Sequence, residues 1–314
     1  MTQPTVGVAI ITYRARDMLA GCLAPLLRSP LEPRILVVNS SSNDGTVETA
    51  RRLGAETMVV SRAGFNHGAT REAARRRLAT DIVVMMTPDA HARDETFLER
   101  LVRPLVTGEA AVAYARQEAR EGAGPLERFA RAFNYPATSQ LRGLADWPVY
   151  GSYTHFCSNS CAAWRTDALD RIGGFASTLV SEETIATARL LEIGERIAYV
   201  AEARVVHSHP TSLTGDFKRQ YDIGYARAAS RDLLLAREAD ERRGAAYLRG
   251  LIRTLAAEKP SLLPYALLHT GLRWIGYRMG MAGRRLPVAV NARLSSQDFF
   301  WRGDAMVRSG AARA

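Results

Sequence analysis

The feature that most constrains the fold is the alternation, over the first third of the chain, of short β-branched runs with helix-patterned segments. Strands are expected at Val6–Ile11, Arg34–Val38, Thr57–Val60, Ile82–Met86 and Ala110–Arg116. Helices are expected between them at Ala15–Leu27, Gly45–Leu53, Gly68–Leu78 and Thr96–Val106. Strand–helix units at this pitch require crossover connections, which give a doubly wound, largely parallel sheet covered on both faces. Ligands in such sheets sit beyond the carboxyl ends of the strands. Two polar clusters, Asn39–Asp44 and Thr87–Asp94, directly follow strands and therefore point to a site.

Beyond the alternating region the pattern weakens. From Glu118 to Tyr153 glycine, proline and aromatic residues accumulate, which suggests a mobile or acceptor-facing insertion. Order returns with Cys157–Trp164, a helix Thr166–Ile172 stopped by Gly173-Gly174, and a helix Glu183–Ile193. Strands Ile197–Val200 and Ala203–His207 follow, and then a long helix Phe217–Arg242. A soft boundary near Ala226 divides the 314 residues into an α/β catalytic unit, 1–225, and an all-helical remainder, 226–314.

A hydrophobic fraction of 47% with 24% charged residues is that of a folded protein and excludes global disorder. The net charge of +10 comes almost wholly from arginine; it suits phosphate-bearing partners and equally a solvated basic surface. Cys22, Cys157 and Cys161 are too sparse for a disulfide framework and read as buried thiols. No secretory leader pattern and no apolar run of about 18 residues is seen. The expected location is the cytoplasm, with a peripheral position on the cytoplasmic face of the inner membrane left open.

Asp89, in Thr87-Pro88-Asp89-Ala90-His91, follows an apolar strand. A carboxylate there, joined by His91 two residues on, could hold a divalent cation against a diphosphate. The imidazole suits Mn²⁺ better than Mg²⁺. The bland alternative is a turn with a capping Asp. Asn39-Ser40-Ser41-Ser42-Asn43-Asp44 leads from strand into helix and could bind a base, ribose or phosphate, or act as an ordinary N-cap. Glu182-Glu183 opens a helix, where acids are favoured by the dipole whatever their role. His207-Ser208-His209 follows a strand and offers one metal or phosphate contact.

Taken in order, these segments resemble the family 2 glycosyltransferases of the GT-A fold, from about Val6 to Arg227. Ala9-Ile10-Ile11-Thr12-Tyr13 resembles the first nucleotide-binding strand, and Val37 to Thr46 the family's "VVDxxSxDGT" loop, with Asn39 in place of its Asp. Thr87 to His91 occupies the DxD position, with His91 replacing the second acid. Asn159 to Arg165 with Gly173-Gly174-Phe175 resembles the acceptor-side stretch, and Glu182-Glu183 the "ED" pair. Gly64-Phe65-Asn66-His67-Gly68-Ala69-Thr70-Arg71 is similar to the "FNHGxTR" of bacterial rhamnosyltransferases, as is His207-Ser208-His209 with the residues that follow.

The resemblance implies a GT-A mixed sheet flanked by helices, and an inverting transfer that favours dTDP-L-rhamnose as donor. The acceptor implied is a glycan or lipid-linked glycan in bacterial polysaccharide synthesis. It assigns the nucleotide sugar to Thr12, Tyr13, Arg14, Asn39, Ser41, Asp44, Phe65, Asn66, His67, Thr70, Arg71, Pro88 and Asp89. It assigns the acceptor to Asn159, Trp164 and Arg165, and Mg²⁺ or Mn²⁺ to Asp89 with His91 or His207. Glu183 takes the base position, with Glu182 the other candidate. Another nucleotide sugar, or a non-catalytic relative that binds nucleotide alone, remains open.

Nucleic acid is not an expected partner: the arginine-dense Arg71–Arg77 lacks interleaved aromatics and no recognition motif is visible. A dehydrogenase would need GxGxxG after the first strand, which is missing. Ser261–Leu286 mixes leucines and aromatics with Arg273, Arg278, Arg284 and Arg285. It reads either as a helix lying on a membrane surface or as one packed on the core or on a second copy of the chain.

Overall fold

The structure is a computed structural model that describes residues 3–235 and 241–302. One mixed sheet contains β1 (Val6–Thr12), β2 (Arg34–Asn39), β3 (Glu56–Val59), β4 (Ile82–Met86), β5 (His91–Ala92), β6 (Val112–Glu118), β7 (Gln140–Arg142), β8 (Cys161–Arg165) and β9 (Ile197–Val206). The order is β3-β2-β1-β4-β8-β6-β9-β5, with β7 pairing β9 beside it. Strands β1 to β4 are mutually parallel where they pair, as the alternating pattern requires. β8 enters between β4 and β6 antiparallel to both, which makes the sheet mixed.

The central strands are apolar at every position because both faces are covered. Val8 and Ile10 of β1 pack on one side with Leu19, Leu23, Phe97 and Leu101. Ala9 and Ile11 face the other layer with Leu36, Leu78, Trp164 and Leu190. The pair of strands expected at 197–200 and 203–207 is one continuous strand. Glu202 and Arg204, which interrupt the apolar pattern, simply point outward from it, and a register shift between Ala115 and Arg116 of β6 absorbs the irregularity.

The stretch 118–153, expected to be a mobile or acceptor-facing insertion, carries regular elements packed into the fold. It contains a helix Pro125–Asn134, β7 and short helices at Leu144–Asp146 and Trp147–Tyr150. Tyr114, Tyr135, Tyr153 and Phe156 form its aromatic core. The fully buried Arg142 donates to Tyr114 Oη (2.8 Å) and the Phe156 carbonyl (2.7 Å) from within that core. Aromatic packing supplies the burial that a periodic aliphatic pattern supplies elsewhere.

The expected helix Phe217–Arg242 ends early. Leu213–Ala229 is helical, Ser230 leaves helical geometry, and a short helix Arg231–Leu234 follows; part of the expected span, 236–240, lies outside the described residues. Leu213–Ala229 thus runs across Ala226 and packs on the helix Leu263–Ala282. Gly276 and Gly280 permit this contact: a Cβ on Gly280 would lie 2.0 Å from the Tyr221 carbonyl oxygen, so only glycine lets the backbones approach. The other side of Leu263–Ala282 exposes Leu267, Leu268, Ile275 and Trp274, the last 63% accessible. No described helix is long and apolar enough to cross a membrane.

Candidate active site

The carboxyl ends of β4, β6 and β9 meet at Asp89. A turn closed by Ala90 N–H to the Thr87 carbonyl (3.1 Å) carries Asp89 off β4. His209 Nε2 lies 3.1 Å from one Asp89 oxygen, and His207 Nε2 3.5 Å from the other. These three groups place their ligand atoms within 4.8 Å of one another.

The hydrogen bonding behind His207 fixes what its ring offers. Gln117 donates its amide to Ser158 Oγ (2.9 Å), so its Oε1 faces Arg131 Nη1 (2.6 Å) and His207 Nδ1 (2.9 Å). Oε1 is only an acceptor, so Nδ1 carries the proton and the Nε2 lone pair points at Asp89. Burial lowers the His207 pKa and favours the neutral ring. Asp89 Oδ1 is buried and without a hydrogen-bond partner. Burial works to raise the Asp89 pKa, but His209, 3.1 Å from the other oxygen, acts against it and the group stays below the usual carboxylate range. A lone pair and an unpartnered carboxylate oxygen therefore face each other with no proton between them. This donor set fits a divalent cation.

A second buried group lies where the helices His67–Leu78 and Glu182–Glu192 meet. Arg71 Nη1 is 2.6 Å from Glu182 Oε1, both side chains almost wholly buried. Asn159 donates to the same oxygen (3.1 Å) and accepts from Trp164 Nε1 (2.9 Å). His67 Nδ1 lies 3.4 Å from Arg71 Nη1, which can only donate, so the lone pair is on Nδ1 and the proton on Nε2. Gly68 makes the packing possible, since a Cβ there would fall 1.8 Å from the Ala176 carbonyl oxygen. Asn66 caps the helix at Ala69 N–H (3.0 Å) and donates to the Thr178 carbonyl (2.8 Å). Phe65 and Thr70 are buried beside them.

The two acids of the pair are therefore unlike. Burial alone would raise Glu182, but Arg71, His67 and Asn159 overcome it and keep the group ionised. Glu183 is half-buried; burial and the Glu182 charge beside it both push its pKa up. Glu182 is engaged by donors, whereas Glu183 combines raised basicity with partial access.

The loop after β2 spends most of its side chains on itself. Asn39 donates to Ser42 Oγ (2.8 Å) and accepts from Ser42 N–H (2.8 Å), a two-way bond an Asp could not make. Ser41 Oγ donates to the Val60 carbonyl. Burial works to raise the Asp44 pKa, but the hydrogen bonds it accepts from Ser42, Thr46 and Arg16 N–H together lower it to about 2. Thr12 Oγ1 donates to the Val38 carbonyl. Tyr13 and Arg14 remain exposed at the end of β1.

Three expected site residues are not brought to the cleft. His91 is drawn into β5 against β9, and its ring lies against Gly21 of the helix Arg16–Leu27. The turn at Asp89 breaks the alternation that would have placed both side chains on one ion; His209 stands in that place. Arg165 pairs with Ile82, at the far end of β4 from Asp89, and its guanidinium is bound to Asp167. Trp164 is fully buried against Phe175 and reaches the site only through Asn159. Pro88 is half-buried beside Asp89. Two cavities, of about 360 and 420 Å³, lie outside this cleft. All three cysteines are buried and unpaired, as expected.

Residues 7–173 match the family described as Glycosyl transferase family 2. The chain is 30% identical over 300 residues to the O-antigen chain rhamnosyltransferase RfbN of Salmonella typhimurium, covering 94% of this chain and 96% of that one. It is 31% identical to the O-antigen chain rhamnosyltransferase WbaN of Salmonella anatum, covering 85% and 86%. Among solved structures it resembles the mannosyltransferase PcManGT of Pyrobaculum calidifontis, solved with GDP-Man and Mn²⁺. That likeness has a TM-score of 0.57 at 19% identity and covers 100% of this chain and 89% of that one. S. aureus TarS 1–349 is similar with a TM-score of 0.53 at 16% identity, covering 98% and 92%.

Proposed function

Because the chain belongs to glycosyl transferase family 2 and is a glycosyltransferase, we propose that it transfers L-rhamnose from dTDP-L-rhamnose, with inversion, to a glycan or lipid-linked glycan acceptor in bacterial polysaccharide synthesis. The donor sugar is supported by the two rhamnosyltransferase relatives, similar along nearly the whole chain. The observation that carries the mechanism is the contrast between Glu182, locked to Arg71, and Glu183, raised in basicity next to it.

Glu183 takes the proton from the acceptor hydroxyl. The acceptor oxygen bonds to the anomeric carbon while the bond from that carbon to the diphosphate oxygen breaks, and the nucleoside diphosphate leaves. Asp89, His207 and His209 would hold a divalent cation, Mn²⁺ in preference to Mg²⁺, and a cation there would supply positive charge against the diphosphate. Asn39, Ser41 and Asp44 shape the nucleotide loop, with Thr12 fixing its strand and Tyr13 and Arg14 exposed to the nucleotide. Phe65 to Arg71 wall the donor sugar, Pro88 sets the Asp89 turn, and Asn159 orients Glu182 at the acceptor side.

The division between a catalytic unit and a helical remainder is placed near Ala226, within the helix Leu213–Ala229, and residues 236–240 and 303–314 of that remainder lie outside the described residues. Through the exposed face of Leu263–Ala282, bearing Leu267, Leu268, Trp274 and Ile275 and fringed by Arg278 and Arg285, the protein rests on the cytoplasmic membrane surface. The test is initial-rate transfer with Mn²⁺ from dTDP-L-rhamnose against UDP- and GDP-sugars. Turnover confined to dTDP-L-rhamnose is expected. Equal or greater turnover with another donor would overturn the rhamnose assignment.

A further inference from the structure

The segment Ser295–Arg302 lies more than a hundred residues beyond the part of the chain that matches the family, yet it reaches the motif Phe65–Arg71. Its backbone is moored by Asp222, which accepts from Ser296 N–H (2.9 Å) and from the Ser296 hydroxyl. Phe300 and Trp301 are buried with Leu179 and Tyr225. Two side chains then project toward the cleft. Gln297 Oε1 lies 3.4 Å from His67 Nε2. Phe299 packs edge-on against Phe65, with centroids 5.6 Å apart. Arg62 is sandwiched between the rings of Phe299 and Tyr13, 4.1 Å from each centroid.

We infer that this C-terminal segment completes the donor pocket: Gln297 is a positioning residue that holds His67 in the Nε2–H form facing Arg71, and Phe299 positions Arg62 under the exposed ring of Tyr13. The hydrogen bonds give the first part a direction. Gln297 Oε1 can only accept, so it selects the proton on His67 Nε2. The Nδ1 lone pair then faces Arg71, whose other bond holds Glu182 next to the base. Burial pushes the His67 pKa down to about 4, so the ring is neutral and its tautomer is a real variable. The charged groups facing it are Glu182 on one helix, Arg71 on its own and Arg219 on a third. In the second part, a guanidinium stacked on two rings is presented at the end of β1 as a fixed cation suited to a nucleotide phosphate.

The inference rests on the glycosyltransferase reading of the same cleft, and its primary test does not require turnover. Full-length protein labelled with ¹⁵N-histidine is compared with Gln297→Met, which keeps the length and removes the acceptor, and Gln297→Glu, which keeps an acceptor. His67→Gln identifies the resonance. In the wild-type chain and in Gln297→Glu, His67 should show a protonated Nε2; in Gln297→Met the signal should shift toward the other tautomer or an average. With an active donor, Gln297→Met should lower kcat/KM by about tenfold, the size expected for one lost hydrogen bond, and Gln297→Glu should restore most of it. Phe299→Leu should raise the KM for donor with little change in kcat. An unchanged His67 tautomer in Gln297→Met would overturn the Gln297 role, and an unchanged donor KM in Phe299→Leu the Arg62 role. If no sugar nucleotide supports turnover while the tautomer shifts, the failure lies with the proposed function and not with the positioning.

Discussion

The cleft has two poles built on opposite principles. At the acid pole, Arg71, Glu182, Asn159 and Trp164 form one chain of hydrogen bonds closed around the Glu182 carboxylate, with Arg71 Nε left without a partner. At the other pole, His207, held by Gln117, aims a lone pair at an Asp89 oxygen that has no partner. A closed network orients a neighbour, here Glu183, while an open one fits a cation from outside. The difference teaches that burial has opposite meanings in the two places: at Glu182 it comes with donors that engage the carboxylate, and at Asp89 with an oxygen left open.

The sharpest way to break this comparison is Glu183→Gln, which leaves both networks intact. Transfer should fall by about 10³–10⁴-fold, as for loss of a general base, while nucleotide and metal binding persist. Glu182→Gln should act differently. It leaves the buried Arg71 without its counter-charge, and unfolding measurements should show a loss of about 3–5 kcal/mol. If Glu182→Gln instead folds with wild-type stability, the acid pole is not the closed network described.

Asp89→Ala should lower kcat by roughly 10²–10³-fold, because it removes the carboxylate of the proposed cation site. His209→Ala, read by Mn²⁺ titration, should weaken metal binding by about tenfold or more, and His91→Ala should leave it unchanged. Equal effects of the two histidines would return the metal to the spacing expected from sequence.

Much of the frame was legible because it is local. The five strands expected in the alternating region and the helices between them appear with shifts of one or two residues, since strands buried on both faces are continuous apolar runs. Asp89 was legible for the same reason, as a carboxylate at the end of such a strand. Of its partners, His207 was legible as a candidate ligand after a strand, whereas His209 was not. The spacing Asp89-x-His91 points to His91, but the pairing of β5 with β9 turns His91 away and brings His207 and His209 from more than a hundred residues on. The pattern His-x-His after a strand was the available signal for His209.

The region 118–153 offers no period to read because its burial comes from aromatics and one interior arginine. Gln117, behind His207, carries no mark of its role, and Gln297 stands 230 residues from the histidine it contacts. Glu182 and Glu183 were indistinguishable as adjacent acids. The resemblance favours Glu183 as base, and the Arg71 contact sets Glu182 apart in the structure.

The most direct test of the account is the pH dependence of kcat/KM in the wild-type chain and in the double variant Arg71→Met with Glu182→Gln, which removes the buried charges together. Glu183 must be ionised to act, so activity should fall as pH drops through its raised pKa. Glu182 raises that pKa more than Arg71 lowers it, so loss of both should move the acidic limb to lower pH. A limb that stays in place, or is absent from the wild-type profile, would contradict the claim that Glu183 is the base and Glu182 the charge that tunes it.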